Sequence, residues 1–110
     1  MVKVELLKDQ QDSIMAFRVE GHTGFDDQGQ DIVCAGVSAI AQTALIGLVN
    51  YLEKKPVYKI SDGILACSLA SDMSSEDAMK SQIILGSMEM GLREIEFRYD
   101  EFIELKIRRC

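Results

Sequence analysis

The 110-residue sequence has no tryptophan, one proline, one histidine and three cysteines. So little proline excludes a collagen-like or proline-rich disordered chain, and with 47% hydrophobic and 27% charged residues the composition is that of a globular domain. Cys34, Cys67 and Cys110 are odd in number and form no CxxC pair, so neither a disulfide framework nor a zinc site of paired thiolates is implied. Reduced thiols in a cytoplasmic protein are the expectation. Basic residues are also scarce: 12 Lys and Arg against 18 Asp and Glu leave a net charge of -6 and a pI near 4.7. A surface of that sign does not neutralise phosphates, so direct nucleic-acid binding is excluded, and a basic partner suits it better. The first residues, MVKVELLKDQQDS, alternate charge with apolar side chains and contain no long apolar run, so they read as neither a signal peptide nor a membrane span. No segment reads as transmembrane, and there are no repeats, low-complexity tracts or linkers. A chain of this length is expected to form one domain over residues 1–110.

What is present is periodic. Val2, Val4 and Leu6 alternate with Lys3 and Glu5, and Met15, Phe17 and Val19 with Ala16, Arg18 and Glu20, which predicts two antiparallel strands in a hairpin. Val33, Val37, Ile40, Ala41, Ala44, Leu45, Leu48 and Leu52 recur at helical spacing and predict a slim, Ala-rich helix from about Asp31 to Lys54, ended by Pro56. Val57 to Ile60 and Ile64 to Leu69 flank Ser61-Asp62-Gly63, a turn signal that predicts a second hairpin. Ser74 or Ser75 can cap a second helix through Met79, Ile83, Leu85, Met88 and Leu92, with Gly86 and Gly91 each costing roughly 1 kcal/mol relative to alanine unless they mark close helix contact. Ile103, Leu105 and Ile107 predict a last strand. The fold class is therefore α/β of the α+β type, in the order β-β-α-β-β-α-β, with two helices packed against an antiparallel or mixed sheet.

The stretch with chemical potential is GHTGFDDQGQDIVCAGVS, Gly21 to Ser38, which holds the only histidine and the first cysteine. Asp31 precedes Ile32-Val33-Cys34 and can cap the first helix, which would put Cys34 in the first turn. There, free N–H groups and the helix dipole favour a thiolate and can receive an oxyanion, while the Asp31 charge opposes the thiolate. Eleven residues separate His22 from Cys34, enough for the histidine to fold back to the helix start. A meeting of the two would give a nucleophile with its general base and acid. Ser38, one turn after Cys34, shares its face. The plainer alternatives stay open: a cysteine in an apolar helix is commonly filler, a lone histidine at a strand end a boundary residue, Asp31 only a cap and Ser38 a passive helix position. One histidine, one thiolate and scattered aspartates match no strong metal spacing, so no metal and no cofactor are expected.

The joint pattern Gly21-His22-Thr23-Gly24-Phe25, Gly29, Asp31-Ile32-Val33-Cys34-Ala35 and Val37-Ser38 closely resembles the signature of the ribosomal-processing cysteine protease family (Prp) of Firmicutes and related bacteria. The likeness extends over the whole chain in length and element order. Thr23, Phe25 and Gly36 depart from the family's more common alanine, tyrosine and alanine, which removes any role for a tyrosine hydroxyl and leaves the catalytic pair intact. The resemblance implies a single cysteine-protease domain, 1–110, that removes a short N-terminal extension from a large-subunit ribosomal protein, cutting after two phenylalanines and before a small residue. By the same resemblance Cys34 is the nucleophile and His22 the general base and acid, Gly21, Asp31 and Ser38 shape or contact the substrate site, and the protein is a homodimer with residues Thr23 to Gln30 as a loop over the site. An acidic protein suits a basic ribosomal substrate.

Two rivals differ in class. A non-enzymatic ribosome-assembly module would bind the same ribosomal protein without cutting it and would tolerate Cys34→Ala. A thiol redox sensor would need a partner cysteine beside Cys34, with Cys67 the candidate.

Overall fold

The structure, a computed structural model, describes residues 1–21 and 28–110; for 28–31 it describes the backbone alone. Among the described residues the elements are β1 (Val2–Lys8), β2 (Ile14–Glu20), α1 (Gln28–Tyr51), β3 (Val57–Ser61), β4 (Ile64–Ser68), α2 (Ser75–Arg98) and β5 (Ile103–Arg109). The strands form one sheet in the order β3-β4-β2-β1-β5. All neighbours are antiparallel except β1 and β5, which run parallel from Val2↔Ile103 to Lys8↔Arg109. The sheet is therefore mixed, and the element order is the expected β-β-α-β-β-α-β.

Alternation in β1 places Val2, Val4 and Leu6 in the core and leaves Lys3 exposed on the opposite face. β2 keeps that alternation through Val19 and Phe17 and then breaks it. Leu7 pairs with Ala16 but Lys8 pairs with Ile14, so Met15 is an extra residue in a bulge and Ile14 takes the buried position expected for Met15. Across this irregularity the Gln82 side chain of α2 serves the strand backbone: Ile14 N–H donates to its Oε1 at 2.7 Å and its Nε2 donates to the Ile14 carbonyl at 2.8 Å.

The α1 stripe buries as its spacing predicts, with Val33, Val37, Ala41, Leu48 and Leu52 all at most 2% exposed. Its bounds differ from expectation, since the helix begins at Gln28, not Asp31, and ends at Tyr51. Glutamine is a good helix former, and the single Gly29 costs a helix about 1 kcal/mol without stopping it. Residues Ile32–Tyr51, with mean hydropathy 2.1, are long and apolar enough to cross a membrane by length and composition, contrary to the expectation that no segment would be. In the fold one side of this stretch packs on the sheet, and Ile32, Ile46 and Tyr51 remain exposed.

α2 starts where serine capping predicts: Ser74 is the N-cap, and its Oγ accepts from the Asp77 N–H at 3.1 Å. Its buried positions are Asp77, Ser81, Leu85, Met88 and Leu92. Met79 and Ile83, expected in the core, lie on the outer face at 60% and 64% exposure, because the inward line at the start of the helix is occupied by the polar pair Asp77 and Ser81. The two helices approach antiparallel through glycine contacts. A methyl group on Gly36, Gly47 or Gly91 would meet Ile95, Ile84 or Ile40 of the other helix at 3.5, 3.5 and 3.3 Å. Gly91 thus marks close helix contact, while Gly86 faces open space.

Candidate active site

The end of β2, the middle of α1 and the β3–β4 hairpin converge on one pocket of about 210 Å³. Gly21, Cys34 and Ser38, three residues singled out in the sequence, all line it. Cys34 is a free, half-buried thiol, and a methyl group on Gly21 would meet its Sγ at 3.4 Å. The strand end is therefore in near contact with the sulfur, and the covalent chain leads directly from Gly21 into His22.

Gly21 is held from the other side. Its N–H donates to the Gly63 carbonyl at 2.9 Å, and a methyl group on Gly63 would sit 2.9 Å from the Gly21 carbonyl oxygen. Gly63 has φ of +73°, the left-handed conformation that the Asp62-Gly63 turn signal predicts. Sulfur, strand end and hairpin turn are thus stacked with no room for a side chain between turn and strand.

His22 and the residues 23–27 of the expected covering loop lie outside the described residues, as does the side chain of Asp31. Gln28, Gly29 and Gln30, expected in that loop, belong to α1. This changes two expectations. Asp31 is the fourth residue of α1 and not its N-cap. Cys34 is the seventh, so its amide falls beyond the first turn, where a helix leaves its N–H groups free and its dipole acts most strongly. Helix-end stabilisation of a thiolate and of an oxyanion at Cys34 is correspondingly weaker than the sequence suggested.

Ser38 stands one turn along from Cys34, and Gln42 a further turn, where its Nε2 donates to Ser38 Oγ at 3.4 Å. Gln42 was missed, although its spacing of four from Ser38 was available as a signal. Ile60, Ile64 and Leu65 were missed as well, because the β3–β4 hairpin reaches the pocket only through the tertiary fold. Among the described lining residues none carries a charge. Cys67 does not line this pocket. It is 3% exposed on β4, and burial pushes its thiol up to about 11, so its thiolate amounts to roughly one part in ten thousand at pH 7. That makes it an inert core residue and a poor redox partner.

The family model described as cysteine protease Prp matches residues 1–104. Over 103 residues the chain is 26% identical to the ribosomal processing cysteine protease Prp of Bacillus subtilis (strain 168), covering 92% of each chain. Among solved structures it resembles an essential ribosomal processing protease Prp from Staphylococcus aureus in complex with a substrate peptide, with a TM-score of 0.85, 24% identity and coverage of 98% of this chain and all of the other. A second structure of that protease, with a covalently linked product peptide, gives a TM-score of 0.82 at 24% identity and the same coverage. These structural likenesses establish the same fold.

Proposed function

The chain belongs to the cysteine protease Prp family, and on that premise we propose that it is a cytoplasmic endopeptidase that removes the N-terminal extension of a large-subunit ribosomal protein, cutting after a Phe-Phe pair and before a small residue. The whole chain, 1–110, acts as one protease domain. The observation that carries this reading is the nearness of Gly21 to Cys34 Sγ, which a methyl group on Gly21 would meet at 3.4 Å; it brings the residue preceding the only histidine close to the only cysteine that lines the pocket.

In the mechanism, Cys34 Sγ attacks the scissile carbonyl carbon as its proton passes to the His22 imidazole. The resulting imidazolium gives that proton to the leaving amine, releasing the downstream product and leaving a thioester on Cys34. Water, deprotonated by the neutral imidazole, then attacks the thioester, and the released thiol recovers the proton. Charge supports the assignment to His22. The charged or basic groups of residues 22–31 are Asp26, Asp27, Asp31 and His22, so the imidazolium is the one cation that segment can offer a thiolate. Gly21 gives close approach at the sulfur, and Ser38, on the Cys34 face of α1, meets the bound peptide. Asp31 takes part through its position one turn before Cys34.

The working protein is a homodimer in this reading. An apolar groove of about 500 Å³ between α1 and α2, lined by residues that include Ile40, Gly47, Ile83 and Ile84, supports it.

Mass spectrometry of a peptide spanning a Phe-Phe-Ala junction, after incubation with wild type, Cys34→Ala and His22→Ala, tests the chemistry. Cleavage after the second phenylalanine by wild type alone is expected. Equal binding by all three proteins without cleavage would sink the nucleophile assignment and leave a binding module.

A further inference from the structure

The core face of the sheet carries a row of paired residues running from the centre to one edge: Val4 on β1, Val19 on β2, Leu65 on β4 and Ile60 on β3. Paired residues of adjacent strands point to the same side of a sheet, so all four belong to the face that the helices cover. Their exposures are 1%, 8%, 8% and 62%. Burial along the row is thus complete until its last member, which the fold leaves open. β3 as a whole is exposed at all five positions.

Ile60 is not simply a stray apolar residue on a free edge. It lines the same pocket as Cys34, with Leu65 beside it, Val19 beyond Leu65 and Ile64 on the facing strand. The opposite wall, formed by α1, is polar beyond the sulfur and consists of Ser38 and Gln42. The pocket therefore has two chemically different sides: a mainly aliphatic one from the hairpin, where Ile60, Ile64 and Leu65 offer no side-chain hydrogen bond and Ser61 carries the single hydroxyl, and one from the helix with a hydroxyl and an amide. An extended peptide laid beside Cys34 matches both sides by directing an apolar side chain to Ile60, Ile64 and Leu65 and polar backbone groups to α1.

We propose that Ile60 is a specificity-determining residue: it is the outer wall of a subsite for the apolar side chain next to the scissile bond, and the β3–β4 hairpin selects that side chain. The inference rests on the protease reading above for the placement of the scissile bond at Cys34. The bound side chain completes the row by covering Ile60 and Leu65, and the area it removes from water supplies the selectivity.

The test uses two peptides that differ in the residue before the cleaved bond, Phe-Phe-Ala and Phe-Ala-Ala in the same flanking sequence. Cleavage is measured as kcat/KM, and binding by fluorescence anisotropy in a Cys34→Ala background. Proteins compared are wild type, Ile60→Ala, Ile60→Trp and Val57→Ser, the last a change at a 75% exposed β3 position outside the pocket. Ile60→Ala is expected to cut the preference for Phe over Ala by about tenfold or more, Ile60→Trp to exclude Phe and favour Ala, and Val57→Ser to leave the ratio unchanged. A ratio unaltered by both Ile60 variants in binding and in cleavage would overturn the proposal. If neither peptide is cut but binding discriminates in an Ile60-dependent way, the subsite stands and the nucleophile assignment falls. Thermal melts of the Ile60 variants keep loss of fold separate from loss of selection.

Discussion

At Gly63 the backbone is left-handed and the Gly21 carbonyl oxygen lies where a methyl group would press at 2.9 Å, whereas a methyl group on Gly86 meets nothing within 4 Å. The same substitution therefore has opposite signs at the two positions. Gly63→Ala is expected to destabilise the protein by about 1–2 kcal/mol from the dihedral alone, with more from the contact, and to lower activity by moving Gly21 against Cys34. Gly86→Ala is expected to stabilise by up to about 1 kcal/mol, because alanine restricts the unfolded helix segment and fits without displacement. Urea unfolding of both variants beside wild type checks the signs, and matching signs would contradict this account. The Asp62-Gly63 signal made the turn legible from sequence, and Gly21, Cys34 and Ser38, singled out there, line one pocket, while His22 lies outside the described residues. The apolar wall was not legible, because Ile60 has the same local pattern as any edge-strand residue and gains its role from what the fold sets opposite it.

Elements are tied together by a carboxylate near the start of α2. Asp77 is 2% exposed, and its two oxygens accept the backbone N–H groups of Lys54 at 3.0 Å and Glu53 at 3.1 Å, clasping the segment that leaves α1. The Lys54 N–H holds the carboxyl below its ordinary value of 3.8, burial opposes this, and the Glu53 N–H and nearby lysines add to the lowering. A lowered native value means that the stabilisation is fully present above about pH 4 and is lost as pH falls through the native value. Asp77→Asn should unfold at lower urea than wild type at pH 7, with the gap closing below about pH 4. A gap that is constant with pH would show that the ionised form contributes nothing. Sequence reading placed the cap at Ser74 or Ser75 but not this clasp, since an aspartate in a first turn normally serves only its own helix. The β2 bulge was hidden for a related reason: one inserted residue reverses which side chains face inward, and Ile-Met-Ala-Phe reads equally well in either phase.

On the scale of the whole molecule, the helices cover one face of the sheet and leave apolar side chains on their own outer side, Ile46 at 60% and Ile83 at 64% exposure among them. Under the homodimer reading, sedimentation of the wild type should give twice the chain mass, and Ile83→Asp should shift it to monomer with little change in circular dichroism. A dimer that survives the aspartate would place the interface elsewhere. Periodicity revealed which residues of α1 face the sheet, but a second contact surface on the same helix leaves too weak a pattern to separate from its general apolarity.

The parallel pairing of β1 with β5 also has a consequence in time. Val2 pairs with Ile103 and donates its N–H to the Phe102 carbonyl at 2.8 Å, so β1 lies inside the sheet only once β5, far along the chain, has docked beside it. Until then β1 has β2 on one side and an unpaired edge on the other. Closing so distant a pair is slow compared with forming either hairpin. A chain in which β5 has not docked therefore keeps the backbone edge of β1 open to pairing with another strand, which is the state most exposed to aggregation.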